Sequence, residues 1–153
     1  MEKVSFPEKL AAKAVEKFKA GFNCCEATLG ALCEGFGMEK GIVPKIASGF
    51  GAGTGYLGYT CGAVNAAVMA FGLKFGRKDP KDKERLKKTL ETTYEFCQKF
   101  KEKFGSCMCR DLIKVDLAMP EGREIHLKEI RMSLCVNYVK EATKMAAELL
   151  LRG

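Results

Sequence analysis

Eight cysteines are the residues best able to do chemistry in this chain of 153 residues. They are Cys24, Cys25, Cys33, Cys61, Cys97, Cys107, Cys109 and Cys135. Cysteine thiolates ligate zinc and iron–sulfur clusters, and they also exchange disulfides. No Cys-x-x-Cys pair occurs, and that spacing is typical of zinc ribbons, RING-like sites and thioredoxin-type dithiols. Any shared cysteine chemistry must therefore bring together residues that are distant in sequence.

Several other kinds of site are excluded by composition and context. The single histidine, His126, cannot build a three-histidine zinc centre or a facial triad. It falls in a polar stretch, and we expect it at the surface in a loop. The sequence contains no Ser-His-Asp arrangement, paired-carboxylate signal or P-loop. Residues 53–58 match GxGxxG, but because no strand signal precedes them we do not expect a dinucleotide site.

The spacing of apolar residues predicts an all-α fold, a single-domain helical bundle of about five main helices over residues 1–153. Ser5 with Glu8, and Asn23 with Glu26, have the spacing of capping boxes that begin the first two helices. A glycine-rich loop over residues 49–58 precedes a helix that is apolar nearly all round. Such a helix is typically central and buried.

The second half of the chain also shows helix signals. Asp79-Pro80 predicts the start of the longest helix, which ends near Phe104. Its apolar stripe is predicted at Leu86, Leu90, Thr93, Cys97, Phe100 and Phe104. A short helix is expected over residues 107–113, followed by a loop through Pro120 and Gly122. The last helix is predicted from about residue 133 to residue 151.

Four cysteines share a position relative to these helices. Cys24, Cys61 and Cys135 fall in predicted first turns, and Cys109 falls in the short helix that Ser106 could cap. Because a helix N-terminus favours a thiolate over a thiol, we expect the pKa values of these four cysteines to be lowered. Because all four share a position at a helix start, we also expect them to meet at one site in the fold.

The other four cysteines are interpreted differently. Cys33 and Cys97 occupy apolar-stripe positions and are predicted to be core residues. Cys25 and Cys107 remain open between a spare ligand, a resolving thiol and a space-filling residue.

Four stretches together resemble the C-GCAxxG-C-C family of redox-active proteins, over residues 6–150. They are Gly21-Phe22-Asn23-Cys24, the glycine-rich loop leading into Cys61-Gly62-Ala63-Val64-Asn65-Ala66, Gly105-Ser106-Cys107-Met108-Cys109-Arg110-Asp111-Leu112, and Cys135. The resemblance implies that Cys24, Cys61, Cys109 and Cys135 are the signature cysteines and that Gly62 and Ala63 lie against a cofactor. It also implies a redox role. A similar domain occurs in split-Soret cytochromes, where the cysteines look like iron–sulfur ligands. Ala66 stands where the family motif has glycine.

With that resemblance, the leading hypothesis is a redox-active protein whose four signature cysteines bind an iron–sulfur cluster or other metal centre, for electron transfer or redox sensing. One alternative is a thiol–disulfide redox protein that uses the same cysteines. Another is a structural zinc-binding interaction module. An enzymatic role as an oxidoreductase component stays open.

Partners and compartment are expectations from composition. The first residues lack the apolar core of a signal peptide, and no run reaches the roughly 18 apolar residues of a membrane span. We therefore expect a cytoplasmic protein without a membrane partner. The net charge is +7, but the basic stretch over residues 74–88 contains acids and predicts a solvated helix face, with no nucleic-acid partner. We expect a redox partner protein of unknown identity, and a homodimer remains open.

Overall fold

The computed structural model describes residues 2–39 and 41–153. The helices are α1 (Phe6–Lys19), α2 (Cys24–Phe36), the four-residue α3 (Gly51–Thr54), α4 (Gly62–Phe75), α5 (Lys83–Phe104), α6 (Cys109–Ile113), α7 (Pro120–Ile125) and α8 (Val136–Arg152). A 3₁₀ turn, Lys45–Phe50, precedes α3, and a π-helical segment, His126–Cys135, joins α7 to α8. The described residues form no strand, only an isolated bridge between Thr60 and Met108. The prediction of an all-α fold is confirmed.

Both predicted capping boxes are present. The Ser5 hydroxyl accepts a hydrogen bond from the Glu8 N–H at 3.3 Å, and the Glu8 carboxylate accepts one from the Ser5 N–H at 2.9 Å. Asn23 and Glu26 make the same reciprocal pair, with both distances 2.9 Å. Because Asn23 caps α2, Cys24 is the first residue of that helix.

Helix α4 lies at the centre of the molecule, as predicted. It packs against α2, α5 and α8, while α1 packs against α2 and α8. Its contact faces are rich in alanine, and the fully buried residues include Ala63, Ala66, Ala67, Ala70 and Phe71. Small side chains let neighbouring helices approach closely, so Ala66 is accommodated within this packing.

Helix α5 differs from the prediction at its start and on its buried face. It begins at Lys83, where the Asp82 carboxylate caps it by accepting a hydrogen bond from the Arg85 N–H at 3.0 Å. Leu90 was expected to face the core but is 57% exposed. The buried residues are Thr92, Phe96 and Phe100. The predicted stripe is therefore rotated relative to the real one, because aromatic packing of Phe96 against Phe71 sets the orientation of the helix.

The predicted loop around residue 120 and the predicted start of the last helix are both wrong. The chain is helical from residue 120 to residue 152. Pro120 lies in the first turn of α7, where its missing N–H costs no hydrogen bond. Gly122 packs against the Asp116 carbonyl so closely that a Cβ would overlap it. Proline and glycine therefore mark a helix start and a close contact here, and Cys135 lies inside a continuous helical stretch.

The part of the chain that the structure describes contains no helix that is both long enough and apolar enough to cross a membrane.

Candidate functional site

Four cysteines line a single cavity of about 60 Å³. They are Cys24, Cys61, Cys109 and Cys135. Cys24 and Cys109 are the first residues of α2 and α6, and Cys61 is the N-cap of α4. Cys135 closes the π-helical segment at its junction with α8. The structure thus places side chains from four separate elements around one cavity, and their role as ligands remains a prediction.

Backbone N–H groups surround the sulfur of Cys24. Those of Ala52, Cys25 and Gly62 all act as hydrogen-bond donors to it. Gly62 lines the cavity, and a Cβ at this position would overlap the Cys24 Sγ. The start of α4 can approach Cys24 because residue 62 has no side chain. The N–H groups of Ala63 and Val64 donate to Cys61 in the same way.

The glycine-rich loop supplies one of these donors through a strained turn. Ala52, Thr54 and Tyr56 have left-handed backbone conformations, with φ of 56°, 67° and 71°. For a residue with a Cβ this region costs about 1–2 kcal/mol. Ala52 lines the cavity and directs its N–H toward Cys24. The residues that match GxGxxG therefore continue a tight turn whose first residue, Ala52, lies against the cysteine cavity, and no strand of the described chain precedes them.

A short antiparallel pairing holds Cys61 next to Cys109. The Cys61 N–H donates to the Cys107 carbonyl at 2.8 Å, and the Cys109 N–H donates to the Tyr59 carbonyl at 2.6 Å. The bridge between Thr60 and Met108 lies between these two hydrogen bonds. The residue before α4 and the residue that begins α6 are thereby fixed against one another by backbone alone.

A hydrogen bond from Tyr138 connects α8 to α6 at the wall of the cavity. The Tyr138 hydroxyl donates to the Leu112 carbonyl at 3.0 Å, in a buried position. Both residues line the cavity, together with Phe18 and Ile113. This hydrogen bond fixes α6, which carries Cys109, relative to the helix that follows Cys135. The apolar side chains limit the access of water.

His126 lies in the cavity wall, so the expectation that it occupies a surface loop is wrong. It is half-buried in the π-helical segment, and its Nε2 lies 3.4 Å from the Sγ of Cys135. Burial, followed by the nearby positive charge of Arg131, lowers the pKa of His126. The imidazole is therefore neutral near pH 7, because its ordinary pKa is already about 6.5.

Arg131 also lines the cavity and was not among the residues predicted from the sequence. Its guanidinium donates to the Phe18 carbonyl at 2.6 Å and to the Phe22 carbonyl at 2.9 Å, and it stacks on the Phe18 ring. A positive charge is thus held beside four cysteine side chains. In the sequence, Arg131 could have been recognised only by its spacing of one helical turn from Cys135. That spacing was missed because the last helix was predicted to start only near residue 133.

Burial controls the protonation of the four cavity thiols. It raises the pKa of Cys61 well above its ordinary value and raises the pKa of Cys109 and Cys135 to about 12. The pKa of Cys24 is also raised by burial, and the backbone N–H donors offset only part of that effect. The expectation of lowered pKa values is therefore wrong for these four residues, because loss of water outweighs the favourable field of a helix start.

The sequence matches the family described as "Putative redox-active protein (C_GCAxxG_C_C)" over residues 22–149. The chain belongs to this C_GCAxxG_C_C family. The matched range contains all four cavity cysteines, and it confirms the resemblance seen in the sequence. No curated protein and no solved structure matches the chain.

The other four cysteines of this C_GCAxxG_C_C protein lie outside the cavity. Cys25, next to Cys24 in the chain, is fully buried. Cys33 is buried in the core, which confirms its prediction as a core residue. Cys97 and Cys107 are half-buried, and their thiols are hydrogen-bonded to each other. The hydrogen bond from Cys97, together with the charge of Lys101, lowers the pKa of Cys107 to about 7.

The size and lining of the cavity restrict what it can hold. A volume of about 60 Å³ compares with about 30 Å³ per water molecule in the liquid and with roughly 300–1,000 Å³ for pockets that bind organic ligands. The cavity therefore suits a small inorganic group better than an organic cofactor. Among the described residues, no three or more His, Cys, Asp or Glu side chains are grouped so that they could hold a metal ion.

Proposed function

We propose that this C_GCAxxG_C_C protein is a redox protein that binds an iron–sulfur cluster through Cys24, Cys61, Cys109 and Cys135. The observation that supports the proposal is the convergence of these four cysteines on one small cavity. Four thiolates are the usual ligands of both two-iron and four-iron clusters. A cluster in this position would supply a reversible electron-accepting centre for electron transfer or redox sensing, which also requires a redox partner protein.

The four thiols are donors of the type that bind metal centres, although the described residues are not arranged in this structure so that three or more of them could hold an ion. Burial keeps the thiols of Cys61, Cys109 and Cys135 protonated in its absence. Metal binding replaces such protons, because a coordinating thiol is deprotonated by the charge of the ion. The same high pKa values argue against free thiolate nucleophiles at these positions, and hence against disulfide exchange by these residues.

The surrounding residues are suited to adjusting a reduction potential. The N–H groups of Ala52 and Gly62 donate to Cys24, and hydrogen bonds to ligand sulfurs favour the more negative, reduced state. Arg131 holds a positive charge at the cavity, and His126 places a neutral imidazole against Cys135. The backbone donors and the charge of Arg131 stabilise negative charge on the sulfurs, and His126 adds to this effect in the tautomer that carries a proton on Nε2.

The decisive experiment is a metal and sulfide assay of protein purified without oxygen. We expect brown protein that contains iron and acid-labile sulfide. Replacement of each of the four cavity cysteines by serine should reduce iron loading. Cys33→Ala should leave loading intact, because Cys33 lies in the core and does not line the cavity.

Two results would contradict the proposal. Colourless, iron-free protein that holds zinc would indicate a structural interaction module. Metal-free protein in which the four cavity cysteines form reversible disulfides would indicate a thiol–disulfide exchanger.

A further inference from the structure

Two cysteines outside the cavity are in direct contact. The Cys107 Sγ lies 3.5 Å from the Cys97 carbonyl oxygen, and the two thiols are hydrogen-bonded to each other. Cys97 lies on α5, and the chain reverses after that helix at Gly105, which has φ of 91°. The reversal folds Cys107 back over the last turns of α5. Neither residue lines the four-cysteine cavity.

This pair is also accessible. Cys97 and Cys107 are both partly exposed to solvent, whereas Cys25, Cys33 and Cys61 are buried. A small oxidant can therefore reach the pair without opening the core. One partner is held on a long helix and the other on a short connecting segment. The hydrogen bond between the two thiols already holds the sulfurs in contact, which is the starting arrangement for a disulfide bond of roughly 2.05 Å.

We propose that Cys97 and Cys107 form a reversible disulfide, a second redox pair separate from the four-cysteine cavity. The oxidant is a low-molecular-weight disulfide such as glutathione disulfide. Two S–H bonds are lost and one S–S bond forms between Cys97 and Cys107. The two electrons and two protons pass to the oxidant, whose own S–S bond breaks to give two thiols.

The position of the pair connects it to the cavity. The Cys107 carbonyl accepts the hydrogen bond from the Cys61 N–H at 2.8 Å, and Cys109 follows two residues later. A disulfide to Cys97 ties this segment covalently to α5. Oxidation of the pair therefore restrains the backbone that positions two of the four cavity cysteines.

Peptide mapping of the whole protein tests the proposal. The protein is equilibrated without oxygen in mixtures of glutathione and glutathione disulfide, alkylated, and digested with trypsin. Cys97 then lies in the peptide of residues 89–99, and Cys107 lies with Cys109 in the peptide of residues 104–110. We expect a cross-link between these two peptides. It should reach half its maximum at the same glutathione ratio when approached from the oxidised and from the reduced side.

Variants assign the cross-link to one pair of sulfurs. It should be lost in Cys97→Ser and in Cys107→Ser, and it should persist in Cys109→Ser and in the buried control Cys33→Ala. Persistence in Cys107→Ser would overturn the proposal, because Cys109 would then be the partner. Glutathione adducts on Cys97 or Cys107 in place of the cross-link would overturn it as well. The cross-link is measured without reference to metal content, so failure of the protein to bind iron leaves this test unaffected.

Discussion

The Nε2 of His126 lies 3.4 Å from the Sγ of Cys135, although the two residues are nine positions apart in one helical stretch. In an α-helix nine residues advance about 13.5 Å and about 2.5 turns, which would place these side chains on opposite faces. The segment that joins them is π-helical. With about 4.4 residues per turn, nine residues make close to two full turns. The wider helix therefore places an imidazole in the cysteine cavity.

We expect His126→Ala to shift the reduction potential of the iron-loaded protein to a more negative value. The imidazole contacts Cys135, and a metal-bound thiolate has no proton, so a hydrogen bond at this contact requires the Nε2–H tautomer as donor. Loss of such a donor to a ligand sulfur destabilises the reduced state. Potentiometric titration measures the shift. Leu127→Ala is the matched control, since that side chain is 67% exposed in the same segment. Equal potentials for the two variants would show that the contact has no effect on the centre.

The starts of α1 and α2, which local capping boxes set, were predictable from the sequence. Asn23 and Glu26 are three residues apart, so their capping box and the position of Cys24 follow from local chemistry. The π-helical segment was not predictable in this way. The ordinary helical periodicity of 3.6 residues places His126 and Cys135 on different faces of a helix. Pro120 and Gly122 are residue types typical of loops, so the sequence predicts a loop where the chain is helical. Tertiary contacts act on this segment, since Arg131 within it donates a hydrogen bond to the Phe18 carbonyl, 113 positions away in the chain.

Gly62→Ala should destabilise the protein and reduce iron loading. Its Cβ would overlap the Cys24 Sγ and lie 3.0 Å from the Phe50 carbonyl oxygen. Overpacking of this kind costs roughly 1–3 kcal/mol. Urea unfolding and an iron assay measure the two effects.

Gly72→Ala is the control for this substitution, because it lies in the same helix and a Cβ there meets nothing within 4 Å. It should stabilise the protein by about 0.5–1 kcal/mol. Destabilisation of similar size in both variants would mean that helix α4 tolerates neither change, and that the contact with Cys24 is not the cause.

The sequence indicated which cysteines belong together better than it indicated their protonation. Cys24, Cys61 and Cys109 do lie at helix starts, and the capping box at Cys24 is a strong local signal. Their raised pKa values depend on burial, which is a property of the assembled fold. Arg131 was missed for the same reason, since its place beside the cavity depends on contacts with α1 from a distant part of the chain.

Ala52→Gly should stabilise the protein by about 1 kcal/mol without changing iron loading. Ala52 has φ of 56°, and glycine relieves the cost of a Cβ in that conformation. The backbone N–H that points to Cys24 is retained. Thermal or urea unfolding measures the gain. Ala12→Gly, at an exposed position in α1, should have the opposite sign and cost about 0.5–1 kcal/mol. Destabilisation by Ala52→Gly would show that strain at this turn is small.

Tyr138→Phe should lower the free energy of unfolding by about 1–3 kcal/mol, because it removes a buried donor from the Leu112 carbonyl. The ring and its edge-to-face contact with Phe104 are retained, so the change isolates the hydroxyl. Since Leu112 lies in the helix that Cys109 begins, iron loading should also fall when the variants are compared at equal folded fraction. Tyr94→Phe is the control, because Tyr94 is 68% exposed and such surface changes stay within about 0.5 kcal/mol. Normal iron loading in a destabilised Tyr138→Phe protein would mean that the hydroxyl supports the fold but does not position Cys109.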